Sequence, residues 1–127
     1  MPLRNAAGEI VGTYGTTKDV TENMKTQEAF EFESRLLKAL LENIPDAVYF
    51  KDAQSRFVRV SKGIHLEGIK RLEDAVGKTD FDYFTKEHAQ QAFDDEQEII
   101  RTGGGIVDKI EKETFEKRED AWVSTTK

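Results

Sequence analysis

The chain has no cysteine, two prolines, one tryptophan, no long hydrophobic run, and fewer basic than acidic residues. Each shortage removes a class of explanation. Without cysteine there is no disulfide, no thiolate metal site and no thiol nucleophile, although this says little about compartment. No apolar stretch approaches the roughly 20 residues that span a bilayer, and no signal-peptide pattern is present, so a soluble, cytoplasmic segment is expected. Lys and Arg number 19 against 25 Asp and Glu, a net charge of −6, which argues against a nucleic-acid partner. A length of 127 residues suits a single core.

What is present is an alternation of element types. Residues 9–17 are rich in β-branched and aromatic side chains, and Asn5-Ala-Ala-Gly8 supplies a turn in which Gly8 suits positive φ. This predicts a hairpin with a truncated first strand. Asp19 and Glu22 have capping-box spacing, Thr21 is an alternative cap, and neither Gly nor Pro interrupts residues 21–43. A long helix is expected, ending near Asn43 because Pro45 disfavours helical geometry at Ile44. Short strands at 47–50 and 56–60 flank the polar turn 52–55, and residues 62–73 read as one or two short helices. Thr85 can cap a helix running to about Thr102, where Ala89, Ala92, Phe93, Ile99 and Ile100 recur at three- and four-residue steps. Two final strands are expected at about 106–115 and 120–127.

Several features that suggest chemistry have plainer readings. Gly103-Gly-Gly105 follows a helix instead of preceding one and lacks a Lys-Ser or Lys-Thr pair, so it reads as a C-cap and turn. Asp80, Asp82, Asp94 and Asp95 lack the close oxygen spacing of a calcium loop and read as solvated surface. No nucleophile, base and oxyanion-hole set is visible, so a non-catalytic segment is expected.

The two ends complement each other. The run Ala121-Trp-Val-Ser-Thr-Thr-Lys127 alternates like a strand, and Met1-Pro-Leu-Arg4 continues it into the turn at Gly8. With Lys127 joined to Met1, the order becomes strand, strand, small helices, longer helix, three strands and an exiting helix, an α+β pattern. In that order the chain resembles a PAS domain. The resemblance rests on Asn43-Ile-Pro-Asp-Ala-Val-Tyr-Phe-Lys-Asp52, Val76-Gly-Lys-Thr-Asp-Phe-Asp-Tyr-Phe84, Arg101-Thr-Gly103, Trp122-Val-Ser-Thr-Thr-Lys127 with Met1-Pro-Leu-Arg4, Gly8-Glu-Ile-Val-Gly12 and Asp19-Val-Thr21. The strand order fits either a fragment of a tandem array or a permutation.

The resemblance implies a five-stranded antiparallel sheet with helices on one face enclosing a small pocket. It also implies a sensory module that binds a small ligand or dimerises, and relays a conformational change through a flanking helix to an effector such as a histidine kinase. Tyr49, Phe57, Phe81, Phe84, Phe93, Ile106 and Trp122 are the candidate pocket lining, and Asp19 and Thr21 the candidate signalling junction. The missing cysteine excludes the flavin photoadduct and the yellow-protein chromophore. Haem-binding relatives carry a histidine where this chain has Ala92, with His88 a turn earlier and His65 elsewhere, so no cofactor or metal is required. A haem or flavin sensor and a purely structural dimerisation domain are the alternatives.

On this reading residues 1–20 supply the last strands, 21–44 a linker helix, and 45–127 the core. The strand at 10–17 belongs between those at 47–50 and 122–127. Residues 21–44 contain no breaker to fold the helix back, so exchange of residues 1–20 between two chains of a homodimer is expected. Leu36, Leu37, Leu40, Leu41 and Ile44 give the helix an apolar stripe.

Overall fold

Pairing of local strands into hairpins, and not one continuous sheet, organises the chain. A computed structural model describes all residues, 1–127, in two units, Met1–Leu36 and Leu37–Lys127. In the first, β1 (Pro2–Arg4) pairs antiparallel with β2 (Ile10–Thr13), with a bulge between Leu3 and Arg4. Asn5 shapes the turn: its side-chain oxygen accepts from the Ala7 and Glu9 amides at 3.0 Å each, and Gly8 takes φ +82°. Helix α1 (Thr21–Asn43) begins here, and its residues from Thr21 to Leu36 are all exposed, Phe30 and Phe32 included.

The second unit contains the last turns of α1, with Leu41 buried. Strands β3 (Tyr49–Lys51) and β4 (Phe57–Val60) pair antiparallel, and two 3₁₀ turns follow at Leu72–Ala75 and Asp80–Asp82. Helix α2 (Lys86–Thr102) starts at the cap residue Thr85, whose hydroxyl accepts from the His88 amide. It stops at Gly103 in the left-handed region at φ +73°. Strands β5 (Lys109–Glu113) and β6 (Ala121–Thr125) form the last antiparallel pair.

The core is small. Phe57, Val60, Leu66 and Ala75 are buried together, with Tyr49, Ile64, Ile69, Leu72, Tyr83 and Phe84 packed against them. Phe57 is fixed on both sides, its amide donating to Lys78 O and its carbonyl accepting from the Gly77 amide, each at 2.8 Å. The chain turning in from α1 is held by Ser61, whose hydroxyl donates to Asp46 O and accepts from the Val48 amide, both at 2.8 Å. Gly63 lies so close to this segment that a Cβ would stand 2.2 Å from Pro45 O and 2.4 Å from Asp46 O.

The single chain does not show the expected five-stranded sheet. The strands make three separate two-stranded sheets, β1 with β2, β3 with β4, and β5 with β6. The segment expected at the sheet's centre is separated along the chain from β3 by the 23 residues of α1, which span about 35 Å. The final strands are also shorter than their composition suggests. Asp108 takes φ +51° and its amide turns to the Thr126 hydroxyl, so the β5 ladder starts only at Lys109, although Ile106 and Lys127 exchange backbone bonds beyond it.

Candidate functional site

Strand β5 turns charge inward. Along Lys109–Glu113 the inward-facing positions are Lys109, Glu111 and Glu113, whereas Ile110 is exposed, as is Trp122 opposite Lys112 on β6. A half-buried strand ordinarily places its apolar residues inward. The inversion marks an interior that handles charge.

That interior holds a cavity of about 50 Å³. Tyr49 and Lys51 of β3, Phe57 of β4, Asp80 of the second 3₁₀ turn, His88, Ala92 and Glu96 of α2, Glu111 and Glu113 of β5, and Thr125 and Lys127 enclose it, with Ala47, Ile64 and Phe84 completing the wall. At its centre Lys51 Nζ donates to Asp80 Oδ2 and Glu96 Oε1 at 2.5 Å each. The three side chains are only 8%, 12% and 11% exposed, so this charge-assisted triad works in a low-dielectric setting where each partner depends on the others. The ammonium also lies 4.8 Å from the Phe57 ring centre and 5.2 Å from that of Tyr49. Tyr49 and Phe57 meet edge to face at 6.2 Å.

A second set of contacts ties β5 to the same helix and β6 to β5. Lys109 Nζ donates to Asp95 Oδ2 at 2.5 Å, and the Thr125 hydroxyl donates to Glu111 Oε1 at 2.8 Å. His88 is buried against the Phe84 ring, centroids 4.7 Å apart. Burial raises the Tyr49 hydroxyl well above its usual range, assisted by the negative charges of Glu96, Asp80, Glu111 and Glu113. Burial likewise raises the Glu113 carboxyl, with His88 and Arg118 opposing. The remaining oxygen of the triad, Glu96 Oε2, is buried and has no hydrogen-bond partner.

Of the pocket residues expected from the sequence, Tyr49, Phe57 and Phe84 line this cavity. Phe81 and Phe93 instead line a separate pocket of about 100 Å³ with Ser55 and Thr79. Ile106 is not in the lining, although its backbone pairs with that of Lys127, which is. Trp122 is 72% exposed because strand alternation turns it outward, correcting its assignment to the lining. Asp80 and Asp95, expected as solvated surface, are ion-paired to lysines, and Asp80 is buried. Asp19 Oδ1 accepts from the Thr21 amide at 2.9 Å and the Thr21 hydroxyl at 2.6 Å, a local cap at the start of α1 that holds the Asp19 carboxyl below its usual range.

The sequence reading missed Lys51, Glu96, Glu111 and Glu113. The one local signal was the alternation at 109, 111 and 113. A larger groove of about 520 Å³, lined by Leu41, Val58, Val60, Leu72 and Val76 and rimmed by Lys38, Glu42, Arg59 and Glu73, has no comparable buried polar set. The charged cavity is therefore the better candidate site.

No helix is long and apolar enough to cross a membrane. The family model described as PAS fold matches residues 41–127. No curated protein and no solved structure matches the chain.

Proposed function

The chain belongs to the PAS fold family, a family of sensory and signalling modules, and on that premise we propose that it binds a small ligand in its charged cavity and passes occupancy on through α1. One observation carries this reading. The Lys62 amide donates to Leu41 O at 2.8 Å, so a carbonyl in the last turns of α1 is capped by the residue two beyond β4. Phe57, at the other end of β4, lines the cavity. A ligand that shifts the hairpin changes the cap, and the helix is the route to an effector such as a histidine kinase. A cytoplasmic location belongs to the same proposal. The segment itself acts by binding and not by catalysis.

Small molecules released from freshly purified protein on unfolding, identified by mass spectrometry beside a visible absorption spectrum, test this. A colourless protein that releases a small molecule supports it. Visible absorption supports the haem or flavin alternative instead.

A second reading concerns assembly. All of residues 1–36 except Gly12 are exposed, Leu3, Ile10, Val11 and Tyr14 among them, as are Ile110 and Trp122 on β5 and β6. The proposal is that residues 1–20 complete the sheet of a second copy, giving a strand-exchanged homodimer in which burial of these side chains drives association.

A further inference from the structure

Two of the strands around the cavity have a bare edge. Outside the hairpins, the backbone of Phe57 on β4 bonds to Gly77 and Lys78, and Thr114 O, next to β5, accepts from the Thr85 amide. No such bond leaves β3 or β6. Both nevertheless send side chains to the same cavity, Tyr49 and Lys51 from β3, and Thr125 from β6 with Lys127 just past it. Unpaired N–H and C=O groups along a strand edge are a template for another strand. The β1–β2 hairpin is the converse, a two-stranded ribbon without a larger sheet, and such a ribbon is marginal in water.

The hairpin sets its own register. The Tyr14 amide donates to Met1 O at 3.0 Å and the Met1 amine donates to Tyr14 O at 2.8 Å. Where β1 of one copy continues the line of β6 of another beyond Lys127, Gly15 therefore comes opposite Lys127 and Thr17 opposite Thr125. Facing residues of an antiparallel pair share a face, so Thr17 turns to the cavity with Thr125, and Tyr14 and Thr16 turn outward. Size agrees, because a cavity of about 50 Å³ admits the end of a threonine side chain and not a tyrosine ring. We propose that Gly15, Thr16 and Thr17 of a second copy fill the gap between β3 and β6, and that Thr17 of that copy completes the cavity wall. This rests on the exchange reading and adds a register and a consequence: the ligand site is whole only in the dimer.

The chain has no cysteine, so introduced thiols report only their own positions. Counting from the bonded pair of Met1 and Tyr14, Thr17 and Thr125 meet at a non-hydrogen-bonded position, where Cα atoms stand about 4.5 Å apart, within the range that a disulfide bridges. The test is oxidation of the full chain carrying Thr17→Cys and Thr125→Cys, read by non-reducing electrophoresis, with light scattering before oxidation. The same chain carrying Thr16→Cys and Thr125→Cys is the control for the face. The expected result is a disulfide-linked dimer that forms roughly tenfold faster than in the control. Free thiols in a protein that scatters as a dimer overturn this register and leave exchange standing. A control pair that links as fast overturns the placement of Thr17 on the cavity face. A monomer, with an internal disulfide or with free thiols, overturns exchange and the composite site together. If Thr125→Cys does not fold, because the bond from the Thr125 hydroxyl to Glu111 is lost, Gly15→Cys with Lys127→Cys decides by the same outcomes.

Discussion

Asp95 and Glu96, adjacent on α2, hold two different hairpins: Asp95 takes Lys109 of β5 and Glu96 takes Lys51 of β3, each at 2.5 Å. Neighbouring helix positions point about 100° apart, so a single turn of α2 reaches both hairpins. The two pairs differ in solvation. Lys51 and Glu96 are 8% and 11% exposed at the side chain, whereas Lys109 and Asp95 are 29% and 21% exposed.

That difference gives the first prediction. Lys51→Met leaves Asp80 and Glu96 buried without a cation and is expected to cost about 3–5 kcal/mol, whereas Lys109→Met, at a wetter pair, is expected to cost about 1 kcal/mol. Urea unfolding of both variants checks the order. Equal losses would mean that Lys51 is not the cation on which the interior depends.

Gly63 provides a backbone test. An added Cβ meets Pro45 O and Asp46 O at 2.2 and 2.4 Å, and backbone atoms cannot yield as a side chain can. Gly63→Ala is expected to destabilise by about 3 kcal/mol, with Gly8→Ala the milder change because nothing lies within 4 Å of a Cβ there, although its φ of +82° is strained for alanine. Denaturation midpoints of the two variants decide the ranking.

The Glu113 carboxyl sets a pH dependence. Burial raises it above its ordinary value of 4.5, so the folded state holds that proton more tightly than the unfolded chain. Its contribution to stability is present below pH 4.5 and is lost as pH rises from there through the folded value. Glu113→Gln is therefore expected to remove part of the fall in Tm over that range and to raise Tm at neutral pH. A steeper fall in the variant would reverse the sign of this assignment.

The exchange reading predicts a dimer by multi-angle light scattering at tens of micromolar. Deleting residues 1–20 is expected to give a monomer with exposed apolar strand surface. A strict monomer from the full chain would rule exchange out.

Much of the local structure was legible in the sequence because it depends on near neighbours. Pro45 marks the end of α1 near Asn43, Thr85 and Gly103 bracket α2, and Asn5 with Gly8 makes the first turn. The aromatic part of the site was legible as well, in Tyr49, Phe57 and Phe84. Its charged part was not. Lys51 is separated by 29 residues from Asp80 and by 45 from Glu96, and no local pattern links charges at such distances. Alternating Lys109, Glu111 and Glu113 look like a solvated face until the fold shows which side is inward. Trp122 was misplaced for the reciprocal reason, since a lone large aromatic residue suggests core even where alternation turns it out.

The central claim is that cavity occupancy reaches α1 through the bond from the Lys62 amide to Leu41 O. The most direct measurement is hydrogen exchange at the Lys62 amide, comparing protein as purified with the same protein unfolded, dialysed free of small molecules and refolded. The account predicts a severalfold change in protection at that amide between the two samples, together with changed protection in the last turn of α1. Identical exchange at Lys62 in samples that differ in bound small molecule would contradict it.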